Sequence, residues 1–320
     1  MIYIGIDISK DSFVAAYPTK SGYTTKTFNN DTKGVRQFIK SLPDESHCVM
    51  EATGNYSMLL LYLLQQAGIL VSMENPQKIK HFSRAMMSVT KTDEIDAKLI
   101  AIYGEKMNPA PYKIPSESIL LLKQKRTVLR QLKKHLAATI NLQQSLAVLP
   151  KQDTTSKVAV EQTIKFLHKQ ISKMEEEITN LSNKEFKRQM DLLTSIKGIG
   201  NTLASALIVA TGGFTYFTSA KQISRFLGLC PTYQQSGTSV NIKGHINRNG
   251  DTHLRGQLYV AAMASLRCNT TCKEMYDRLR ANGKSGRVAI VAIANKLIRQ
   301  AFAVVNNNQP YIDGYVSTFA

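Results

Sequence analysis

Residues 2–29 read IYIGIDISKDSFVAAYPTKSGYTTKTFN, and the order of elements in this stretch decides the fold. Three runs, IYIGIDI (2–8), SFVAAYP (12–18) and YTTKTFN (23–29), are rich in β-branched and aromatic residues and are separated by short polar turns. They predict three consecutive antiparallel strands. Downstream, GVRQFIKSL (34–42) has a helical pattern, CVMEAT (48–53) reads as a strand, YSMLLLYLLQQAG (56–68) as a helix and ILVSMEN (69–75) as a strand. Three antiparallel strands followed by helix–strand repeats is the ribonuclease-H-like order, an α/β domain. In that order the ends of the first and fourth strands lie side by side.

Acidic residues fall at those ends. Asp7 stands inside the first apolar run and Glu51 closes the fourth, while Asp93 and Asp96 lie three apart in KTDEIDAKLI (91–100) and so share a helix face. Carboxylates gathered this way suit hard cations such as Mg²⁺ or Mn²⁺, which take oxygen ligands, and paired ions of this kind clamp a phosphodiester during phosphoryl transfer. The plainer reading of each acid is an exposed carboxylate or a cap; Asp93 and Asp96 also suit the first turn of a helix. For Asp7 that reading is poor, because a carboxylate among apolar strand residues requires a compensating partner. Asp11 and Glu94 are the neighbouring competitors. Between the last strand and the Asp93 helix runs NPQKIKHFSRAMMSVTKTD (75–93), with Lys78, Lys80, Arg84 and Lys91. It reads as an irregular polar stretch, either a solvated loop or a mobile basic segment over the acids.

The 320-residue chain carries a net charge of +18, with pI near 9.7 and 43% hydrophobic residues. This describes a globular protein, long enough for two cores, with a polyanionic partner. The charge is unevenly spread. Residues 1–116 hold 13 basic and 11 acidic groups, 117–190 hold 14 and 7, and 191–320 hold 14 and 5. The first part spends acids on ions; the rest supplies a phosphate-facing surface. Cys48, Cys230, Cys268 and Cys272 form no CxxC pair, which argues against a zinc site. The longest apolar run, MLLLYLL (58–64), falls far short of the ~20 residues of a membrane span. Together with the lack of a signal-peptide pattern, this gives the expectation of a cytoplasmic, nucleoid-associated protein with reduced thiols and no membrane partner.

From 117 to 190 the pattern is helical. Val160, Ile164, Leu167, Ile171, Met174, Ile178 and Leu181 form a heptad seam, and Leu122, Leu129, Leu132, Leu136 and Ile140 offer a partner stripe. Pro150 and KQDTTSK separate the two, so the segment is expected to be a coiled-coil hairpin or arms that pair between subunits. In the C-terminal part, 191–320, the turn IKGIG (196–200) resembles a helix-hairpin-helix, in which Lys197, Gly198 and Gly200 face a phosphate. The stretch FLGLCPTYQQSGTSVNIKGHINRNGDTHLRGQLYVAAMAS (226–265) reads as a polar, loop-rich segment that carries a site. Ser236, followed by Gly237 and near Lys243, Arg248 and Arg255, is a candidate nucleophile. On spacing alone Ser239 and Tyr233 are its equals, and serines in such loops commonly make only local hydrogen bonds.

These blocks together resemble the DEDD-type transposases of bacterial insertion sequences, the Piv-invertase-like group also called insertion sequence family one-ten. GIDISK with Asp7, EATGNY with Glu51 and KTDEIDA with Asp93 and Asp96 follow the family's order, and GLCPTYQQSGTSVNIKGHINRNGDTHLR (228–255) is similar to its C-terminal signature. The resemblance implies a RuvC-like metal-binding domain (1–116), a coiled-coil segment (117–190) and a mainly helical transposase domain (191–320). It also implies that Asp7, Glu51, Asp93 and Asp96 bind divalent metal and that Ser236 is the nucleophile. Its further implications are DNA element ends and target as substrates, a noncoding bridge RNA as guide, and a homo-oligomer, dimer or tetramer, in which acids of one subunit meet the serine of another. Where the family pattern leads one to expect Lys, this chain has Arg248, which keeps the charge. A RuvC-like junction nuclease using water, or a noncatalytic nucleic-acid-binding protein, are the alternatives; the first would be indifferent to Ser236→Ala and the second to changes at all four acids.

Overall fold

A computed structural model describes residues 1–87, 90, 92–236, 240–246 and 250–313, with the backbone alone for 232–236 and 240–245. The chain divides into two compact units, Met1–Ile114 and Pro115–Ala320.

The first unit runs β1 (Ile2–Ile8), β2 (Ser12–Thr19), β3 (Gly22–Asn29), α1 (Thr32–Lys40), β4 (Ser46–Glu51), α2 (Met58–Gln66), β5 (Leu70–Glu74), α3 (Pro76–Ala85) and α4 (Asp93–Met107). The strands form one mixed sheet in the order β3-β2-β1-β4-β5. The pairs β1–β2 and β2–β3 are antiparallel, while β1–β4 and β4–β5 are parallel. This is the ribonuclease-H-like arrangement expected from residues 2–29. Alternation of side chains gives the sheet two covered faces. Ile4, Ile6, Phe13, Cys48 and Met50 pack with Val35 and Phe38 of α1 and Leu60, Leu61 and Leu64 of α2. On the other face, Val49 packs with Ile79, Leu99, Ile100 and Tyr103, and Val14 and Ala16 pack with Ala97 and Ala101 of α4.

Gly5 determines how closely α4 lies on that second face. A Cβ at Gly5 would fall 2.1 Å from the Ala97 carbonyl oxygen and 2.2 Å from the Ala101 nitrogen. Only a glycine permits this approach, and it lays the first turn of α4 over the strand position two residues further on, Asp7.

The basic stretch after β5 differs from the expected irregular loop: Lys78, Lys80 and Arg84 lie on helix α3. The local reason is in the sequence. Asn75 caps the helix by accepting from the Gln77 N–H at 2.9 Å, Pro76 occupies the first turn, where its missing N–H costs nothing, and Ile79 and Phe82, three apart, pack on the sheet side. Lys91 lies outside the described residues.

The second unit begins with two long helices, α5 (Glu117–Ala147) and α6 (Thr154–Glu185). They pack on each other within the chain as a hairpin, burying Leu122, Leu129, Ile171 and Ile178, with Leu132, Leu136, Met174 and Leu181 alongside. Lys125 and Lys133 reach across to Glu177 (3.0 Å) and Glu175 (2.6 Å). Within the chain the two helices form the hairpin of the first expected arrangement.

There follow α7 (Lys187–Thr194), α8 (Asn201–Thr211), α9 (Ala220–Phe226), β6 (Pro231–Ser236), β7 (Val240–Ile246), α10 (Thr252–Ser265), α11 (Thr270–Ala281) and α12 (Gly286–Asn306). Leu193, Ile196, Leu207, Ile223, Leu258 and Ile293, Leu297 and Ile298 of α12 share one core. Helix α12 is long and apolar enough to cross a membrane, yet its apolar stripe serves as the centre of this core. The stretch read as loop-rich instead contains an antiparallel two-stranded sheet, β6–β7, in which Ser236 pairs with Val240. Val240, Ile242 and Ile246 recur at even spacing, a strand period that the density of Gly and Asn disguises.

Candidate active site

Asp7 lies near the end of β1, opposite Val14 of β2. The parallel register Ile6↔Met50 makes Glu51, the last residue of β4, its neighbour on the adjacent strand. Helix α4 opens with Thr92, whose side chain accepts from the Ile95 N–H at 3.3 Å, so Thr92 and not Asp93 is the cap. Asp93, Glu94 and Asp96 fill the first turn, where the positive end of the helix dipole favours them.

Electrostatics ties the four acids together. The half-buried Asp7 carboxyl is pushed up from its ordinary 3.8 to about 6, first by burial and then by the charges of Asp96, Asp93 and Glu51, against a smaller lowering by the Ile8 backbone. The exposed Asp11 and Glu94 are not among the charges that move it. The fold therefore holds like charges together at a cost, as functional sites do. An oxygen-only donor set under mutual repulsion fits a hard divalent cation. Among the described residues, however, no three His, Cys, Asp or Glu side chains converge closely enough to ligate one ion. The coupling places the four acids in one electrostatic neighbourhood.

A fifth acid was missed in the sequence. Glu74, the last residue of β5, pairs in register with Glu51. It is buried, and Lys78 of α3 neutralises it at 2.7 Å. Its signal was available, since ILVSMEN closes on an acid as CVMEAT does. Lys78 is thus engaged with Glu74, while Lys80 and Arg84 lie further along α3.

In the second unit, Gly198 takes φ +109°, and a Cβ there would meet the Ser265 Cβ at 2.6 Å, so it packs against α10. Gly200 is the residue preceding α8, and a Cβ there would meet nothing within 4 Å. Lys197 pairs with Asp313 at 3.1 Å. Ser236 ends β6 and Lys243 lies within β7, and Tyr233 is in β6; their side chains, and all of Ser239 and Arg248, lie outside the described residues. Arg255, on α10, donates to the Leu227 carbonyl at 3.4 Å. Arg126 of α5 escaped sequence reading altogether. Its largely buried guanidinium donates to the Thr202 carbonyl (3.1 Å), Ser205 Oγ (2.8 Å) and Gln257 Oε1 (3.5 Å), and burial lowers it to about 10.

Known families match both ends of the chain. Residues 4–150 match a transposase family of the DEDD type, and residues 190–277 match the transposase family IS116/IS110/IS902. The pilin gene-inverting protein of Moraxella bovis is 30% identical over 322 residues, covering 97% of this chain and 97% of its own; that of Moraxella lacunata is equally similar. The transposase for insertion sequence element IS1111A of Coxiella burnetii is 29% identical over 37% of this chain and 33% of its own. Among solved structures, T. thermophilus RuvC in complex with a Holliday junction substrate covers 35% of this chain and 99% of its own at 12% identity. Its TM-score of 0.26 is too low to add to the strand-order argument. With matches over both ends and a relative aligned over nearly its whole length, the chain belongs to the IS116/IS110/IS902 family of transposases.

Proposed function

We propose that this transposase-family enzyme cuts and rejoins DNA by metal-assisted phosphoryl transfer with Ser236 as the nucleophile. The observation that carries the reading is the gathering of Asp7, Glu51, Asp93 and Asp96 around one end of the sheet, with Asp7 raised by the other three. A divalent cation, Mg²⁺ or Mn²⁺, held by these four would neutralise charge on the phosphate's nonbridging oxygens. The carboxylates position what they bind; the rigidity of the sheet end and of the α4 first turn keeps them from drifting apart. Ser236 Oγ attacks phosphorus and forms a phosphoserine ester. One backbone P–O bond breaks, and the departing oxygen leaves as a hydroxyl, taking up the proton the serine loses. A hydroxyl of the partner strand then attacks the phosphoserine, restoring a phosphodiester and returning the serine. No net bond energy is lost, so rejoining needs no nucleotide cofactor.

Further parts of the proposal rest on the family resemblance. They are three working segments (1–116, 117–190 and 191–320), a noncoding guide RNA, and a homo-oligomer, because exchange of strands in pairs takes more than one serine. If RNA pairs with the targets, the protein need only grip backbones, and the surplus of +7 over 117–190 and +9 over 191–320 suits that task.

The test is covalent capture. Protein purified under denaturing conditions from cells carrying its element is compared with Ser236→Ala and Asp7→Asn for attached DNA. Adducts in wild type that vanish in both variants are expected. Adducts that persist in Ser236→Ala would move the nucleophile to another residue, with Tyr233 and Ser239 next to test. Metal-dependent cutting without any adduct would assign the attack to water.

A further inference from the structure

Asp7 and Glu51 lie at the ends of neighbouring strands, and one side chain ties together the two loops that leave those strands. Asn30, which follows β3, donates from Nδ2 to the Ser9 carbonyl at 3.0 Å and the Lys10 carbonyl at 3.5 Å in the turn after β1, and to the Tyr56 carbonyl at 3.0 Å in the loop after β4. Its backbone N–H donates to the Asp11 carbonyl at 3.0 Å in the same turn. Ser9 stands two residues beyond Asp7 and Tyr56 five beyond Glu51. The brace therefore fixes the backbone of residue 56 beside the acid end of the sheet.

Holding the loop there leaves polar atoms unsatisfied. Three carbonyls around Nδ2 fix the orientation of the Asn30 amide, so its Oδ1 is buried without a donor. Thr53 Oγ1, two residues beyond Glu51, is buried without a partner as well. Buried polar groups are ordinarily paired, and two orphans in one brace mark a segment kept in place for something other than its own stability. The far end of the loop is fixed by buried Ser57, whose Oγ donates to the Gly54 carbonyl at 3.1 Å as the chain enters α2.

What the brace presents is an aromatic ring. Tyr56 is 51% exposed, and among the described residues its ring packs on no other ring. Lys10, exposed in the adjoining turn, has no carboxylate partner among the described residues. An aromatic face beside an uncommitted cation suits a single nucleic-acid strand, because the cation takes a phosphate and the ring takes a base of any identity. A paired duplex keeps its bases stacked on one another, so only an unpaired base can reach such a ring. Joining strands in new pairings opens base pairs next to the exchanged phosphates, and those phosphates come to the acid end. Tyr62 is equally exposed but lies within α2, where its hydroxyl accepts from Gln66 Nε2 at 2.7 Å.

We propose that Tyr56, held by Asn30, is a stacking platform for an unpaired nucleobase of the DNA strand whose phosphate lies at the acid end of the sheet. The proposal rests on reading the chain as a DNA-cutting enzyme, and deepens it by naming the form of DNA the site takes: a strand locally unpaired beside the cut. It does not depend on which group is the nucleophile.

The experiment uses the full chain carrying Asp7→Asn, so that DNA is bound in Mg²⁺ without being cut. Two DNA duplexes of one sequence are compared, one fully paired and one with a short unpaired gap that contains 2-aminopurine. Affinity and 2-aminopurine fluorescence are read for this parent and with Tyr56→Ala, Tyr56→Phe or Tyr62→Ala added. The parent is expected to bind the gapped duplex more tightly than the paired one and to quench its fluorescence. Tyr56→Ala should weaken gapped binding about tenfold, the size of one base–aromatic stack, and release the quenching. Tyr56→Phe, which keeps the ring, and Tyr62→Ala should match the parent, and binding of the paired duplex should be the same throughout. A tyrosine that served only the structure of the loop would weaken both duplexes alike. That result, an equal loss in Tyr56→Phe or Tyr62→Ala, or fluorescence that does not depend on Tyr56, overturns the proposal and leaves the enzyme reading, which covalent capture tests separately, intact. Failure of every protein to bind either duplex overturns both.

Discussion

Replacing Asp7 by Asn should stabilise the metal-free protein. The rise of the Asp7 carboxyl from 3.8 to about 6 corresponds to about 3 kcal/mol at about 1.4 kcal/mol per tenfold change in proton affinity. Asp7 is only half-buried, so solvent screening reduces this to roughly 1–2 kcal/mol. The sign follows from linkage. A carboxyl whose folded value is raised is tolerated below its unfolded value and destabilises progressively as pH rises through about 6. Wild type and Asp7→Asn should therefore be equally stable near pH 3–4, diverge in favour of the variant between 3.8 and about 6, and differ by a constant amount above that. A unit of about this size gains roughly 4–8 °C per kcal/mol. The chain has no tryptophan and two compact units, so native-state hydrogen exchange in β1 and β4 is the suitable assay, read in chelator and in excess Mg²⁺. Added Mg²⁺ should stabilise wild type and reverse the order, because relief of the same repulsion gives the ion its binding energy. A variant less stable than wild type in chelator, or a difference that does not change with pH, would refute the claim that the four carboxylates repel one another.

Gly5→Ala should cost about 2–3 kcal/mol and abolish cleavage, since its Cβ would fall 2.1 Å from the Ala97 carbonyl and lift the α4 first turn off Asp7; hydrogen exchange and a cleavage assay check the two effects. Lys78→Ala should cost about 1–3 kcal/mol, because it leaves the buried Glu74 carboxylate without its ion pair although Lys78 itself is largely exposed. If Lys78 also grips nucleic acid, the same variant lowers the salt dependence of binding by about 0.9. Arg126→Met should destabilise the second unit by about 2–3 kcal/mol by leaving Thr202, Ser205 and Gln257 without their shared donor. Exchange in β1 and β4 should be unchanged in that variant, and equal loosening of both units would contradict it.

The first unit was legible because its inner strands β1, β2 and β4 are mostly buried and its turns are short. Apolar IYIGIDI and CVMEAT could be placed from composition, and the three leading strands from their spacing. What the strings did not carry was register. Glu74 closes its strand as Glu51 does, but only the pairing Glu51↔Glu74 reveals them as neighbours. Helix α3 was misread as irregular because Lys78, Lys80 and Arg84 obscured a short apolar stripe whose second member, Phe82, is only partly buried. The β6–β7 pair was misread because Gly and Asn are common both in loops and in small hairpins. Arg126 was invisible for another reason: nothing in a helix of mixed lysines and leucines marks a cation that will bond to α8 and α10.

The two kinds of site residue differ in how much trace they leave. A carboxylate set inside an apolar strand carries a burial cost that is unexplained without a partner, as at Asp7, whereas Asp93 and Asp96 in a helix first turn leave no such trace. A cation destined for a phosphate sits on the surface, where a solvated lysine has the same sequence signature. Counting basic groups therefore overstates the cations available to nucleic acid. Lys78 is taken by Glu74 and Lys197 by Asp313, although both stood out in the sequence as phosphate contacts. The two pairs are not equivalent. Glu74 is buried and belongs to the sheet, so freeing Lys78 would strand a charge in the protein, whereas the Asp313 carboxylate shares Lys197 with the donors of Thr270 and Tyr311.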